Sequence, residues 1–169
     1  PGQTIGMSAF TDPILKALDI SRNTLSLAYM FGTILSSLFL TSAGKFYDKY
    51  GVRLTAVIAT IGLGISLFYM AHSDVLSQQI TSLGLIVPSS YISFFVIFLG
   101  FFFIRFFGQG VLTMASRNTI MKWFVRIRGF ANGISSVFVA LGFSIMPLVF
   151  DLFIRKFTWD GAWVFLAIL

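Results

Sequence analysis

Residues 92–115 read ISFFVIFLGFFFIRFFGQGVLTMA. Arg105 is the one charge in the run, and everything around it is apolar, aromatic, small or weakly polar. A bilayer-crossing helix needs about 20 apolar residues, so the stretch predicts a transmembrane helix. Working outward, three more full spans are expected at 25–46, 54–71 and 130–150, with partial spans at 1–10 and 162–169. Composition agrees: hydrophobic residues make up 57%, charged residues 11%, and mean hydropathy is +0.90. Soluble domains carry about a quarter charged residues. All six acids are Asp, and 21 Phe suit surfaces that face lipid. The fold class predicted is an all-α, multi-pass membrane protein.

The same composition excludes several functions. With no cysteine and one histidine, His72, disulfide scaffolds, zinc fingers and thiol catalysis are ruled out, and no metal site is expected. No carboxylate pair, histidine cluster or nucleophile–base pair falls at membrane depth, so neither an enzyme nor a cofactor is expected. No GxxxxGK[ST] loop occurs, which argues against nucleotide hydrolysis by this chain. The net charge of +6 sits in short clusters between apolar runs, unlike the stripe of a nucleic-acid binder.

Polar connectors are expected at 11–23, 45–53, 73–91, 116–129 and 151–160. In the middle one, residues 75–87 suit a short interfacial helix that Pro88 would end. Alternate connectors share a side of the membrane. Lys45, Lys49, Arg53, Arg117, Lys122, Arg126 and Arg128 give seven basic residues on one side, against four on the other: Lys16, Arg22, Arg155 and Lys156. The excess places the 45–53 and 117–128 loops in the cytoplasm. The chain begins at Pro1, inside the end of a span, and stops within a fresh apolar run. It therefore reads as part of a larger bundle.

Within the spans, Gly32 and Ser36, Gly62 and Ser66, and Ser136 and Ala140 form small-xxx-small pairs, which let helices approach closely in lipid. Three spans also carry mildly polar faces at helical spacing. These are Ser26, Tyr29, Thr33 and Ser37; Arg105, Gln109, Thr113 and Ser116; and Asn132, Ser136 and Ala140. Shared, they would line a wet cavity; for the Ser and Thr members, hydrogen bonding between helices is the simpler expectation.

Arg105 needs more. It lies fourteen residues from Tyr91 and twelve from Arg117, roughly 21 and 18 Å along a helix. A cation at mid-bilayer costs about 2.5–3.5 kcal/mol on insertion scales, so it must face the bundle. No Asp falls inside a span. The expected partners are backbone carbonyls, a carboxylate from outside this chain, or an anionic substrate. A structural clamp and a substrate contact both fit. No Asp, Glu or His lies in a span to carry a proton.

The loop Gly44-Lys45-Phe46-Tyr47-Asp48-Lys49-Tyr50-Gly51-Val52-Arg53 joins two spans. Gly51 permits a sharp turn, Gly44 permits close helix contact, and Asp48 can cap or pair locally. Its spacing resembles the Gly-x-x-x-Asp-Arg/Lys-x-Gly-x-Arg loop of the major facilitator superfamily. Residues 105–110 are similar to that family's fourth-helix arginine motif, with the glycine spacing shifted by one. Trp123-Phe124 followed by residues 128–133 resembles its fifth-helix entry. Gly133, Gly142 and Pro147 recur at its antiporter spacing, but Met146 and Phe150-Asp151 replace expected glycines, which disfavours a drug/proton antiporter. Residues 1–6 and 10–13 resemble bacterial monocarboxylate and organic-anion carriers.

The resemblance implies that residues 1–169 are an N-terminal half, from late in a first helix to early in a sixth, of a 12-helix fold built from inverted three-helix repeats. A C-terminal half would face it across a central site, in a bacterial cytoplasmic membrane. It implies a secondary transporter working by alternating access on a small solute, a carboxylate or other organic anion, with a coupling proton or ion. The expected substrate residues are Arg105, Gln109, Gln3, Tyr29 and Asn132; the expected gating residues are Gly44, Asp48, Lys49, Gly51, Arg53 and Arg128. A sensor or receptor on the same fold, or a carrier of a neutral solute, are the competing readings.

Overall fold

A computed structural model describes residues 7–82, 88–157 and 159–168. Gln3 and the rest of 1–6, and residues 83–87 of the expected interfacial segment, lie outside the described residues. The described residues form helices and turns, with no strand. In chain order they are α1 (Met7–Leu18), α2 (Arg22–Ala71), α3 (Ser73–Ser82), α4 (Ser89–Ile104), a π-helical segment (Arg105–Leu112), α5 (Thr113–Trp123), a 3₁₀ turn (Val125–Ile127), α6 (Arg128–Phe157) and α7 (Trp159–Ile168). Three stretches are long and apolar enough to cross a membrane: Arg22–Ala71, Ser89–Trp123 and Val125–Ile154.

Helix α2 starts where Ser21 accepts a hydrogen bond from the Thr24 amide through its side chain, satisfying one of the free donors of the first turn. It is two helices in one. Gly51 breaks it with φ 80° and ψ 176°, a conformation that only glycine adopts without strain. Ala43 and Ala59 lie equally far on either side of that break, yet share one buried cluster with Val111. In a straight helix they would be about 24 Å apart, so residues 22–50 and 52–71 fold back on each other. The rod that runs from α4 through α5 packs between them. Gly32 lies against Phe101 and Phe102 and Gly110 against Leu40, while Gly108 lies against Leu63 and Gly100 against Met70. Hence 22–50 runs parallel to the rod and 52–71 antiparallel.

Close approach occurs at Gly32, in the first of the small-xxx-small pairs. A Cβ added at Gly32 would sit 3.0 Å from the backbone nitrogen of Phe102, and Ser36 one turn later is also buried. In lipid such contacts hold helices together by dispersion, since burial from water contributes little there. The second joint is aromatic. Trp163 of α7 is fully buried, its ring 4.3 Å from that of Phe10 in α1, which in turn lies 5.6 Å from Phe150 of α6. At the end of the bundle where α3 meets α4, a buried hydrogen bond of 2.8 Å joins the Ser77 and Ser93 hydroxyls.

Several expectations are revised. The segments expected as connectors at 11–23, 45–53, 116–129 and 151–160 are largely helical: α1 runs on through Pro13, both arms of α2 reach Gly51, and α6 continues through Pro147 to Phe157. The hydroxyls of Thr33, Ser36, Ser37, Ser66 and Ser136 do not bridge helices; each donates to a carbonyl three or four residues back in its own helix, at 2.6–2.8 Å. A short hydroxyl side chain finds that acceptor without any partner helix.

Candidate functional site: the Arg105 cluster

Arg105 stands near the middle of the rod formed by α4, the π-helical segment and α5, at the point where the backbone changes from α to π geometry. The change covers Arg-Phe-Phe-Gly-Gln-Gly-Val-Leu, in which Gly108 and Gly110 leave room for a wider turn, and it ends where the Thr113 amide donates to the Gly110 carbonyl. Such segments are uncommon and recur at functional positions.

The guanidinium is half-buried and turned toward α2. Its Nη2 donates to the hydroxyl of Tyr29 and its Nη1 to the side-chain carbonyl of Gln109, one turn on. Its central carbon lies 4.3 Å from the centroid of the Tyr29 ring, so the cation also faces the electron-rich face of that ring. Tyr29 is steadied from behind by Phe101, edge-on at 5.3 Å. This contact depends on Gly32: the helices meet there at backbone distance, and Tyr29, one turn earlier on the same face, is carried within reach of Arg105. The third nitrogen, Nε, is buried and has no acceptor among the described residues.

The expected partners of Arg105 were backbone carbonyls, a carboxylate or a substrate. Among the described residues Arg105 is met by two neutral side-chain oxygens, and no carboxylate there pairs with its charge. Of the expected substrate residues, Arg105, Tyr29 and Gln109 come together. Asn132 does not join them: it is exposed on α6, as are Ser136 and Ala140, and its carbonyl accepts from Ser136. Phe101, which positions Tyr29, was not anticipated; in the sequence it is one of many phenylalanines.

The second region is the turn at Gly51. Asp48, Lys49, Arg53 and Arg128 are exposed, and Asp48 makes no ion pair among the described residues. Gly44 lies inside a helix, where an added Cβ would meet only Met114 Sδ at 4.0 Å. Close contact therefore does not require glycine there. Tyr47, not singled out by the sequence, is buried with its hydroxyl unpartnered among the described residues, and Lys122 of α5 lies 5.1 Å from its ring centroid. Thr55 donates to the Gly51 carbonyl at 2.8 Å and secures the start of the returning arm.

Between the two regions, an apolar cavity of about 280 Å³ opens among Ala43, Phe46, Thr55, Ala59, Phe107 and Val111. Among the described residues no group of three His, Cys, Asp or Glu side chains gathers to hold a metal. The chemistry available is that of a cation with hydrogen-bond donors, set at mid-depth in an apolar bundle.

Comparison with known proteins gives the chain's relatives. Residues 2–169 match the model of the Major Facilitator Superfamily. "MFS-type transporter 1" of Ophiocordyceps sp. (strain BCC 1869) is 29% identical over 131 residues, which is 75% of this chain and 25% of that protein. The chain thus spans about a quarter of the length of the curated relative it matches. No solved structure matches it.

Proposed function

The chain belongs to the major facilitator superfamily, and from that premise we propose that it supplies the N-terminal half of a secondary active transporter for a small carboxylate or other organic anion. It is a multi-pass membrane protein of a transporter family; the anion is our reading. The observation that carries it is Arg105, a permanently charged group whose partners among the described residues, Tyr29 and Gln109, are both neutral. A charge kept at that depth is costly, and an anion is the ligand that offsets the cost. A neutral solute would leave the cation uncompensated.

In this reading Arg105 anchors the anion, Gln109 and Tyr29 flank it, and a second half of the fold closes the site from the other side. Asn132 is a lesser member that a different state of the carrier would bring in, and Gln3 is a further lesser member of the proposed site. The Gly51 turn, with Asp48, Lys49, Arg53 and Arg128 exposed around it, is the surface on which the halves engage and release on the cytoplasmic side. The coupling proton or ion is carried by other parts of the protein or enters with the substrate.

Counterflow in proteoliposomes containing the full carrier tests this reading, because a sensor of the same fold gives no flux. Arg105→Lys keeps the charge but loses the planar fork. We expect it to insert normally and to lose at least about 10-fold in kcat/KM, equivalent to about 1.4 kcal/mol of transition-state stabilisation. Near-normal uptake by that variant removes Arg105 from the mechanism.

A further inference from the structure

The hydrogen bonds around Arg105 have a direction, and the direction limits what can bind. A guanidinium only donates. In donating to Tyr29 and Gln109 it consumes a lone pair of the phenol oxygen and the carbonyl of the amide. Beyond one remaining lone pair on each oxygen, what those two side chains have left to offer is their protons: the Tyr29 O–H and the Gln109 amide N–H₂, neither of which has an acceptor among the described residues. The Arg105 Nε–H is a third unused donor, on the guanidinium edge it shares with Nη2, where Tyr29 is held.

We propose that Tyr29 is a specificity-determining residue: turned outward as a donor by Arg105, its hydroxyl bonds directly to an oxygen of the transported carboxylate. The inference rests on the anion reading above and sharpens it. A carboxylate is acceptor-only and has two oxygens, so it can meet the Tyr29 O–H and a second donor of the cluster at once. An amide of the same shape places an N–H₂ where one oxygen belongs, and that group faces donors, with only oxygens already engaged by Arg105 to accept it. The cluster therefore discriminates by hydrogen-bond polarity as well as by charge. Phe101 keeps the Tyr29 ring in position, and Gly32 sets the helix spacing that makes the contact, so the donor is pre-aimed before substrate arrives.

The test uses the full carrier in proteoliposomes with acetate, lactate and benzoate as probes, each paired with its amide. For whichever acid is taken up best, Tyr29→Phe is expected to raise KM roughly 10-fold or more, the effect of losing a hydrogen bond to a charged group. Maximal rate should change much less, because the ring and its contact with the cation remain. The parent is expected to take up the acid and reject the amide, and Tyr29→Phe to narrow that preference. An unchanged KM and unchanged preference in Tyr29→Phe, with Arg105→Lys inactive, overturn the role of Tyr29 and leave the anion reading standing. Amide uptake equal to that of the acid by the parent overturns the polarity argument. If none of the three acids is transported, or Arg105→Lys transports them normally, the anion reading fails and this inference with it.

Discussion

Replacing Gly51 by alanine isolates one physical quantity, backbone strain. The residue sits at φ 80° and ψ 176°, and a Cβ built there meets nothing within 4 Å. Sterics with neighbours therefore contribute nothing, and the whole cost is torsional, of order 1–3 kcal/mol. Alanine also restricts the unfolded chain, which returns about 0.4–1 kcal/mol. The net expectation is a loss of at most about 2.6 kcal/mol and centrally about 1.3 kcal/mol, a central fall of about 3–5 °C in the unfolding midpoint for a domain of this size. Gly44, seven residues earlier in the same loop, is the control. It is helical, and its added Cβ would lie in ordinary contact with Met114 Sδ at 4.0 Å, so Gly44→Ala should stabilise by up to about 1 kcal/mol through helix propensity. Thermal unfolding of the detergent-solubilised carrier, followed by tryptophan fluorescence, compares the two. Equal midpoints for Gly51→Ala and the parent would refute the claim that the turn demands glycine.

Gly32→Ala and Gly62→Ala should also part company. The first presses on the Phe102 backbone at 3.0 Å and should cost about 1–3 kcal/mol, whereas the second meets the far end of the Phe107 ring, which borders the apolar cavity and can yield; matching losses of thermal stability would contradict this. Ser77→Ala and Ser93→Ala each leave a buried hydroxyl without its partner and should each cost about 1–3 kcal/mol, while the double variant should cost less than their sum. Strict additivity in a double-mutant cycle would show that the bond contributes nothing. A cysteine at Ser82 should react with an impermeant thiol reagent from outside intact cells and one at Lys122 should not; the reverse pattern inverts the proposed sidedness.

What the sequence disclosed follows from which forces act locally along the chain. Hydropathy indicated long apolar helices, and the isolation of Arg105 within 92–115 set it near the middle of one, because both depend on composition within one helix. Gly51 was readable as a turn because its neighbours are helix formers and it alone tolerates positive φ. The Tyr29 partner was not readable: it is 76 residues away, and the contact depends on helix spacing fixed by Gly32 against Phe102. The π-helical segment was equally hidden, since its wider turn leaves no periodic mark beyond Gly108 and Gly110. The polar stripe through Ser26, Tyr29, Thr33 and Ser37 misled in part, because a hydroxyl that satisfies itself on its own helix looks the same in sequence as one that reaches across. That the polar stretch 151–157 is helical was not readable for a related reason: hydropathy measures affinity for lipid, not backbone conformation.

The unneutralised guanidinium also has an electrical consequence. With no counter-charge among its partners, the empty site carries a full positive charge into whatever part of the transmembrane voltage drop it occupies. On the reading proposed above, a monovalent carboxylate bound there cancels that charge, so a site loaded with the anion alone moves through the field as a neutral body, and any coupling ion that enters with it adds its own charge. A potential of 100 mV is worth up to about 2.3 kcal/mol per elementary charge. Where the anion travels without a coupling ion, voltage would therefore bear on the return of the vacant carrier and leave the laden stroke nearly untouched, which places the current-sensitive step of the proposed cycle on the journey made without cargo.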